Sequence, residues 1–328
     1  MTIQEVAKCL GISKGTIWRA LNDAPDINQK TRERVLRQLN EVGYRPSRMA
    51  QALSTGRSQV VSVWMGSLTT PYANTVLYHL EQRLVKSSYD MLLRNLHYRS
   101  LEVDTYNFTA DWPADGLIIL DSILWVNHAR TQYQDSVLPL VNMGVYCDTS
   151  VDHVRIDLYQ PVVQAMNHLL AEGCRKIAFL GPEWYINIEQ DRYRAYCDVV
   201  KQAGLETIIL QTVEDHRKNA MEIVTESIGK SLQFDAIMAF NDEHAIGAYR
   251  ALLTHGVQVP HDVALVGCDG LEEIEYLEHP LSTISLPIPQ MCKLAWQFLL
   301  RRMREPEVPV QSSILQPELT IRDSSRKS

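Results

Sequence analysis

"TIQEVAKCLGISKGTIWRALN" (residues 2–22) decides how the chain begins to fold. Thr2 and Glu5 stand in the S/T-x-x-E arrangement of a capping box, and Ile3, Val6, Ala7 and Leu10 then recur at helical spacing. Gly11 stops that helix. Ser13 can cap a second one, in which Ile17, Ala20 and Leu21 share a face while Lys14, Gly15, Trp18, Arg19 and Asn22 point elsewhere. Working outward, the spacing predicts a third helix from the cap candidate Asn28 through Val35, Leu39 and Val42 to Gly43, a residue type suited to a helix end.

Two helices across a short Gly-containing turn, closed by a third, make the helix-turn-helix plan. The second helix is then expected in the major groove. Lys14 and Arg19 can donate to guanine O6 and N7, and Ser13, Thr16 and Asn22 can hydrogen-bond phosphates. The apolar spacing alone would also suit any amphipathic three-helix unit. Trp18 has two readings, an indole that touches DNA and one that covers the edge of a small core.

Charge supports the nucleic-acid reading. Residues 1–58 carry ten Lys/Arg against five Asp/Glu, so of the chain's −7 the remaining residues hold 22 against 34, a basic head on an acidic body. The six cysteines are scattered, with no CxxC pair and no His at metal spacing, and read as reduced, mostly buried thiols. No metal and no cofactor are expected. No apolar run spans a membrane and the N-terminus lacks a secretory h-region, so a cytoplasmic, nucleoid-associated protein is expected.

"YRPSRMAQALSTGRS" (44–58) begins like a turn and continues with helix formers. Pro46 suits a first helical turn. An isolated helix of about seven residues from Ser47 to Leu53 would be unstable in water, so this hinge needs a partner to fold.

From residue 59 the pattern changes. "QVVSVWM", "DMLLRN", "DGLIIL" and "LPLVNMG" read as short buried strands, and a second set follows in "HVRID", "RKIAFLG", "ETIILQ", "DAIMAF" and "VALVGCD". Helical stretches such as "ANTVLYHLEQRLVKSS" and "QPVVQAMNHLLAEG" alternate with them. The fold class is therefore an all-α helix-turn-helix head plus an α/β body of two doubly wound parallel-sheet subdomains. Ligands in such folds bind beyond the carboxyl ends of the strands. That rule selects Tyr72, Ser122, Trp125, Asp157, Trp184, Arg192, Asn241, Asp242 and Asp269, a set able to bind a polyhydroxylated molecule. Each has a structural reading as well: Asp157 and Asp242 as helix caps, Asn241 as a turn residue, Trp125 and Trp184 as packing.

The head and hinge, from "TIQEVAKCLGISKGTIWRALN" through "TRERVLRQLNEVGYRPSRMAQALSTGRS", resemble the N-terminal segment of the lactose/galactose repressor (LacI/GalR) family of bacterial transcription regulators. The resemblance implies that Lys14, Gly15 and Arg19 occupy base-reading positions. Gly15 has no side chain to read with, and Trp18 replaces a small hydroxyl residue that normally faces a phosphate. It also implies a homodimer whose paired hinge helices lie over the minor groove of a near-palindromic double-stranded operator, contacting it through Ser47, Arg48 and Leu53, with Leu53 as an apolar wedge.

In the body, "HVRIDLYQPVVQAMNHLLAEGCRKIAFLG", "QDRYRAY", "AFNDEHAIGAYRAL", "VPHDVALVGCDGLE" and "PLSTISLPIPQM" resemble the family's periplasmic-binding-protein-like effector domain. On that basis Asp157, Arg192, Asn241 and Asp269 lead the effector-site candidates, beside Tyr72, Trp125 and Trp184. The first loop "MGSLTTPYA", Leu158, Pro161 and Ala195 depart from the usual pattern. The implied effector is a small molecule, a sugar or sugar derivative first, with nucleobases behind. The implied division is 1–45 for the head, 46–58 for the hinge and 59–328 for the effector and dimerisation domain. The last splits into about 59–158 with 286–312, and about 159–285 with 313–328. "LTIRDSSRKS" carries no leucine heptads, so no tail-mediated tetramer is expected. The rivals are an α/β enzyme with a DNA-binding head and a solute receptor; no G-x-S-x-G, Walker, HExxH or Rossmann motif favours the enzyme, and no catalytic residue is assigned.

The hinge reading predicts that Leu53→Ala weakens operator binding in a gel shift. Unchanged affinity would remove the wedge role.

Overall fold

The computed structural model describes residues 2–21, 24–44, 56–96, 114–132, 138–186, 189–213, 216–231 and 233–327. Asn22 and the hinge residues Ser47, Arg48 and Leu53 lie outside the described residues.

The head contains α1 (Ile3–Leu10), α2 (Lys14–Leu21) and α3 (Gln29–Glu41). Both halves of the capping box form: the Thr2 hydroxyl accepts the Glu5 N–H at 3.3 Å and the Glu5 carboxylate accepts the Thr2 N–H at 2.8 Å. Gly11 takes φ +64° and sends its N–H back to the Ala7 carbonyl, which ends α1. Ser13 Oγ accepts the Thr16 N–H at 3.1 Å, and Asn28 Oδ1 accepts that of Lys30 at 2.9 Å. The interior is small: Val6, Ala7, Ile17, Ala20, Val35 and Leu39, flanked by Ile3, Leu10, Leu21 and Val42. A core of this size depends on its caps, because each cap contributes about 1 kcal/mol against a small total.

The body is built from two six-stranded sheets. The first contains β1 (Val60–Met65), β2 (Asp90–Asn95), β3 (Gly116–Leu120), β4 (Leu140–Gly144), β5 (Asp152–Ile156) and β11 (Ser312–Leu315), in the order β11-β5-β4-β3-β1-β2. The second contains β6 (Ile177–Pro182), β7 (Ile208–Thr212), β8 (Ala236–Ala239), β9 (Ala264–Asp269), β10 (Ser282–Ser285) and β12 (Glu318–Thr320), in the order β12-β10-β9-β8-β6-β7. In the first sheet β1 with β3, β3 with β4, β4 with β5 and β5 with β11 pair in parallel. The second is parallel except where β12 lies antiparallel on β10.

Helices α4 (Pro71–Lys86), α5 (Ile123–Gln132) and α10 (Ile288–Arg304) serve the first sheet, and α6 (Tyr159–Ala171), α7 (Asp191–Gln202), α8 (Arg217–Gly229) and α9 (Asp242–Thr254) the second. The strand interiors, such as "GLIIL" and "AIMA", are buried on both faces, which is why they read as continuous apolar runs rather than alternating ones.

Two expectations need correction. "HVRID" was grouped with the second set of strands, but β5 pairs with β4 and β11 and so belongs to the first sheet. The last boundary, expected at 312/313, falls instead at Gln316 and Pro317, because Ser312–Leu315 run parallel to His153–Ile156 before the chain crosses to β12. The short strands β10, β11 and β12 were not foreseen as strands; three or four polar or mixed residues carry too little pattern for period-two reading.

A buried ion pair fastens the end of α10. Asp152 is 2% exposed and accepts Arg302 Nη2 at 2.7 Å and Nε at 2.9 Å, together with the Gln311 N–H at 2.8 Å and amide at 3.0 Å. Burial acts to raise the Asp152 pKa, but the bonds from Arg302 and Gln311 outweigh it and hold the carboxyl below its ordinary range. Arg302 also donates to the carbonyls of Pro306, Val308 and Pro309, so one guanidinium sets the path from α10 into β11. Arg302→Met should lower unfolding free energy by about 3–5 kcal/mol in urea melts, because it strands a buried carboxylate. A loss under about 1 kcal/mol would mean that water reaches Asp152.

Candidate functional site

In the head, α2 presents Lys14, Gly15, Trp18 and Arg19 on its exposed side, as its apolar spacing predicts. Trp18 is 42% exposed, too open for a core residue. Ser13 is engaged twice, by the Thr16 N–H and by the Thr16 hydroxyl at 2.8 Å, so its first task is capping α2. Arg19 folds back along its own helix. Its Nε donates to the Gly15 carbonyl at 3.2 Å and its Nη1 to Asp26 at 3.2 Å. A side chain at position 15 would begin 3.4 Å from that guanidinium, so glycine here leaves the path of Arg19 open. Both Arg19 contacts are solvent-exposed and weak enough for a phosphate or a guanine edge to replace.

In the body, the residues at the strand ends converge on Arg192. It is the second residue of α7 and 6% exposed, its guanidinium lying 4.2 Å from the Phe240 ring centroid and 3.9 Å from Asp269 Oδ1. Asp269 ends β9, is 7% exposed and has φ +124°, a conformation an L-residue adopts only when its surroundings impose it. The surroundings are supplied by Asp242, whose Oδ2 accepts the N–H groups of Gly270 and Leu271 at 2.8 Å each and whose Oδ1 accepts the Thr283 hydroxyl at 2.7 Å. Burial pushes the Asp242 carboxyl up to about 6, against the opposing pull of those three bonds and of Arg322.

The first sheet contributes Asp121 and Tyr72. Asp121 follows β3 with φ +53° and accepts the Val145 N–H at 2.5 Å, the Tyr146 N–H at 3.4 Å and the Tyr72 hydroxyl at 2.9 Å. Burial raises its pKa, while these bonds and the charge of Arg192 act the other way.

The other expected residues divide. Asn241 caps α9, its side-chain oxygen taking the His244 N–H at 2.9 Å and facing His244 Nδ1 at 2.7 Å. Asp157 accepts the Tyr159 N–H at 3.1 Å and the Gln316 amide at 3.1 Å, at the crossings between the sheets. Trp125 is 5% exposed and packs with Trp64, Leu117, Ile119 and Val126, which fits its packing reading, and Ser122 Oγ accepts the Trp125 N–H at the start of α5. Trp184 is 48% exposed on the short 3-10 turn after β6. Asp242 is neither simple cap nor ligand candidate but the brace for Asp269.

Sequence reasoning missed Asp121 and Phe240. Asp121 directly follows the run "DGLIIL", and the strand-end rule would have selected it if applied to the first residue beyond the run; Phe240 is the last residue of "DAIMAF" and was read only as part of the strand. The cysteines are free thiols, with Cys147, Cys174, Cys268 and Cys292 buried; burial pushes Cys268 and Cys292 up to about 12. Among the described residues no cluster of His, Cys, Asp or Glu could hold a metal ion, and no helix is long and apolar enough to cross a membrane.

A helix-turn-helix head joined to a two-sheet α/β body is the architecture of a class of DNA-binding transcriptional regulators. Residues 2–47 match the bacterial regulatory proteins of the lacI family, and residues 166–325 match the periplasmic binding protein-like domain. The chain thus carries a LacI-family helix-turn-helix domain and a periplasmic-binding-protein-like domain, and its homologues are LacI-family transcriptional regulators. It is 27% identical to the HTH-type transcriptional regulator DegA of Bacillus subtilis (strain 168), over 99% of this chain and 98% of that one. The same fold occurs in the lac repressor dimer bound to operator and an anti-inducer (TM-score 0.85, 22% identity, 99% of each chain). It occurs also in a LacI family regulator of Enterococcus faecium with bound ribose (TM-score 0.73, 24% identity, 82% of this chain and 99% of that one). The homologues are transcriptional regulators, not enzymes, which removes the enzyme alternative.

Asp242 generates a pH prediction. Its folded pKa of about 6 exceeds the ordinary 3.8, so the folded state takes up a proton before the unfolded state does. The resulting stabilisation is complete below the ordinary value and lost as pH rises through the folded one. Relative to Asp242→Asn, the wild-type protein should therefore gain on the order of 3 kcal/mol on acidification across this window, read by urea melts at stepped pH. Parallel profiles for the two proteins would refute the assignment.

Proposed function

We propose that the protein is a homodimeric repressor that binds a near-palindromic operator through α2 and whose DNA affinity is set by a sugar-class effector bound around Arg192. The observation that supports the effector reading is the polar cluster at the strand ends: a buried guanidinium against Phe240 and Asp269 in the second sheet, and the hydrogen-bonded Tyr72 and Asp121 at the strand ends of the first. Carboxylates accept paired hydroxyls, the guanidinium and tyrosine donate to ring and exocyclic oxygens, and the exposed Trp184 supplies an aromatic face.

On the operator, two copies of α2 would enter major grooves about one helical turn apart, with Lys14 and Arg19 at base edges and Ser13, Thr16, Trp18 and Asn22 towards the backbone. Ser47, Arg48 and Leu53 would make the central contacts. Effector and operator are coupled reciprocally: whichever state of the body the effector favours, DNA must favour or disfavour by the same factor.

Ribose, glucose and cellobiose, each tested beside hypoxanthine and guanine, separate the two ligand classes in a thermal-shift assay on the full-length protein. A sugar at a hundred times its dissociation constant should stabilise the fold by about 2.7 kcal/mol. Arg192→Gln should cost more than about 2 kcal/mol of that binding. A shift confined to the nucleobases would replace the sugar reading.

A further inference from the structure

The first turn of α7 touches both sheets. Arg192 faces Asp269, at the end of β9 in the second sheet, at 3.9 Å. The residue before it, Asp191, faces the first sheet: its Oδ2 lies 3.4 Å from Nη1 of Arg155 on β5. Arg155 comes shortly before the crossing at Asp157, and Tyr159 follows that crossing at the start of α6. One face of α7 holds both, since residues 191, 194 and 198 recur at helical spacing. Arg194 donates to Asp191 Oδ1 at 2.7 Å and lies 4.8 Å from the Tyr159 ring centroid, and the Tyr159 hydroxyl donates to Asp198 at 2.8 Å.

Arg155 is the member of this group that comes from the first sheet, and its bond differs in kind from that of Arg302 with Asp152. There the carboxylate is 1% exposed and the guanidinium 16%, so removing one partner strands a buried charge. Arg155 is 31% exposed and meets Asp191 at a longer distance. When it leaves, Asp191 keeps Arg194 and its place at the N-terminus of α7, where the helix dipole favours a carboxylate. The contact can therefore open and close without leaving a bare charge behind.

We propose that Arg155 and Asp191 form a reversible latch between the two sheets, which holds β5 and its crossing against α7 and frees them when it opens. The latch does not depend on the class of effector. Because Asp191 and Arg192 are consecutive on one helical turn, a shift of that turn relative to the second sheet changes the reach to Arg155 directly. A partly exposed pair is weak enough to be broken and remade thermally.

The test is hydrogen exchange on the full-length protein without added ligand, read by mass spectrometry over peptides that span the crossings, 155–160 and 314–318. Arg155→Met should speed exchange there by about threefold or more, the scale set by a partly exposed ion pair. Peptides containing Ile118 and Phe179, in the strand cores, should exchange as in the wild type. Asp191→Asn should act alike, and the double variant should add nothing beyond the larger single effect, as two partners of one contact require. Arg155→Lys, which keeps the charge, should restore most of the protection. Unchanged exchange at the crossings in Arg155→Met overturns the latch, and so does an equal rise in the strand cores, which marks a general loosening of the fold. Additive single effects overturn it as well, since independent roles add. If Arg155→Met does not fold, Asp191→Asn, which leaves the first sheet intact, decides by the same reading.

Discussion

The arrangement on which the polar cluster at the strand ends depends is a carboxylate that accepts two consecutive backbone N–H groups from the loop beyond the neighbouring strand. Among the described residues it occurs once in each sheet. Asp121, after β3, takes Val145 and Tyr146 beyond β4; Asp242, two residues after Phe240 and at the head of α9, takes Gly270 and Leu271 beyond β9. In both, a glycine on the adjacent strand admits the carboxylate, since a Cβ at Gly144 or Gly267 would come within 2.1 Å of an Asp oxygen. Burial of a charge is unfavourable unless hydrogen bonds return what water supplied, and successive loop amides do so. The loops in turn lose their freedom to move independently of the strands. Asp269 keeps a backbone conformation it would not choose, and its carboxylate meets Arg192 as a result.

Different parts of this architecture were legible to different degrees. The helix-turn-helix head was readable because each signal was local: Thr2 with Glu5, Gly11, Ser13 and Asn28 act over three or four residues, and all four do what their types predict. The long strands were readable because burial on both faces makes them apolar throughout. Strands β10, β11 and β12 were not, since "STIS", "SSIL" and "ELT" owe their conformation to partners far away in sequence, such as Val266, His153 and Thr283. The site shows the same division. Arg192 and Asp269 stand in motifs, whereas Asp121 gains its meaning from Tyr72 and Val145, which no local window contains together with it.

The head illustrates how a missing side chain can be informative. Gly15 stands where a base-reading residue would be expected, and its absence of bulk lets Arg19 lie back over the first turn of α2 against Asp26. Arg19, which shares the exposed side of α2 with Lys14, is thus held in a defined orientation at the modest cost that exposed ion pairs carry.

The order of the strands also governs how the protein can be made. The first sheet has five of its strands by Ile156, yet its edge strand β11 ends at Leu315, and the helix whose Met291, Cys292, Ala295, Trp296 and Leu299 line its core ends at Arg304. During synthesis that apolar surface stays uncovered while the whole second sheet up to β10 emerges. Closure waits on contacts separated by more than a hundred residues, such as Arg302 with Asp152. Chains with such late, long-range closure fold slowly and expose sticky intermediates, so the nascent protein should depend on chaperones more than its stable native core would suggest.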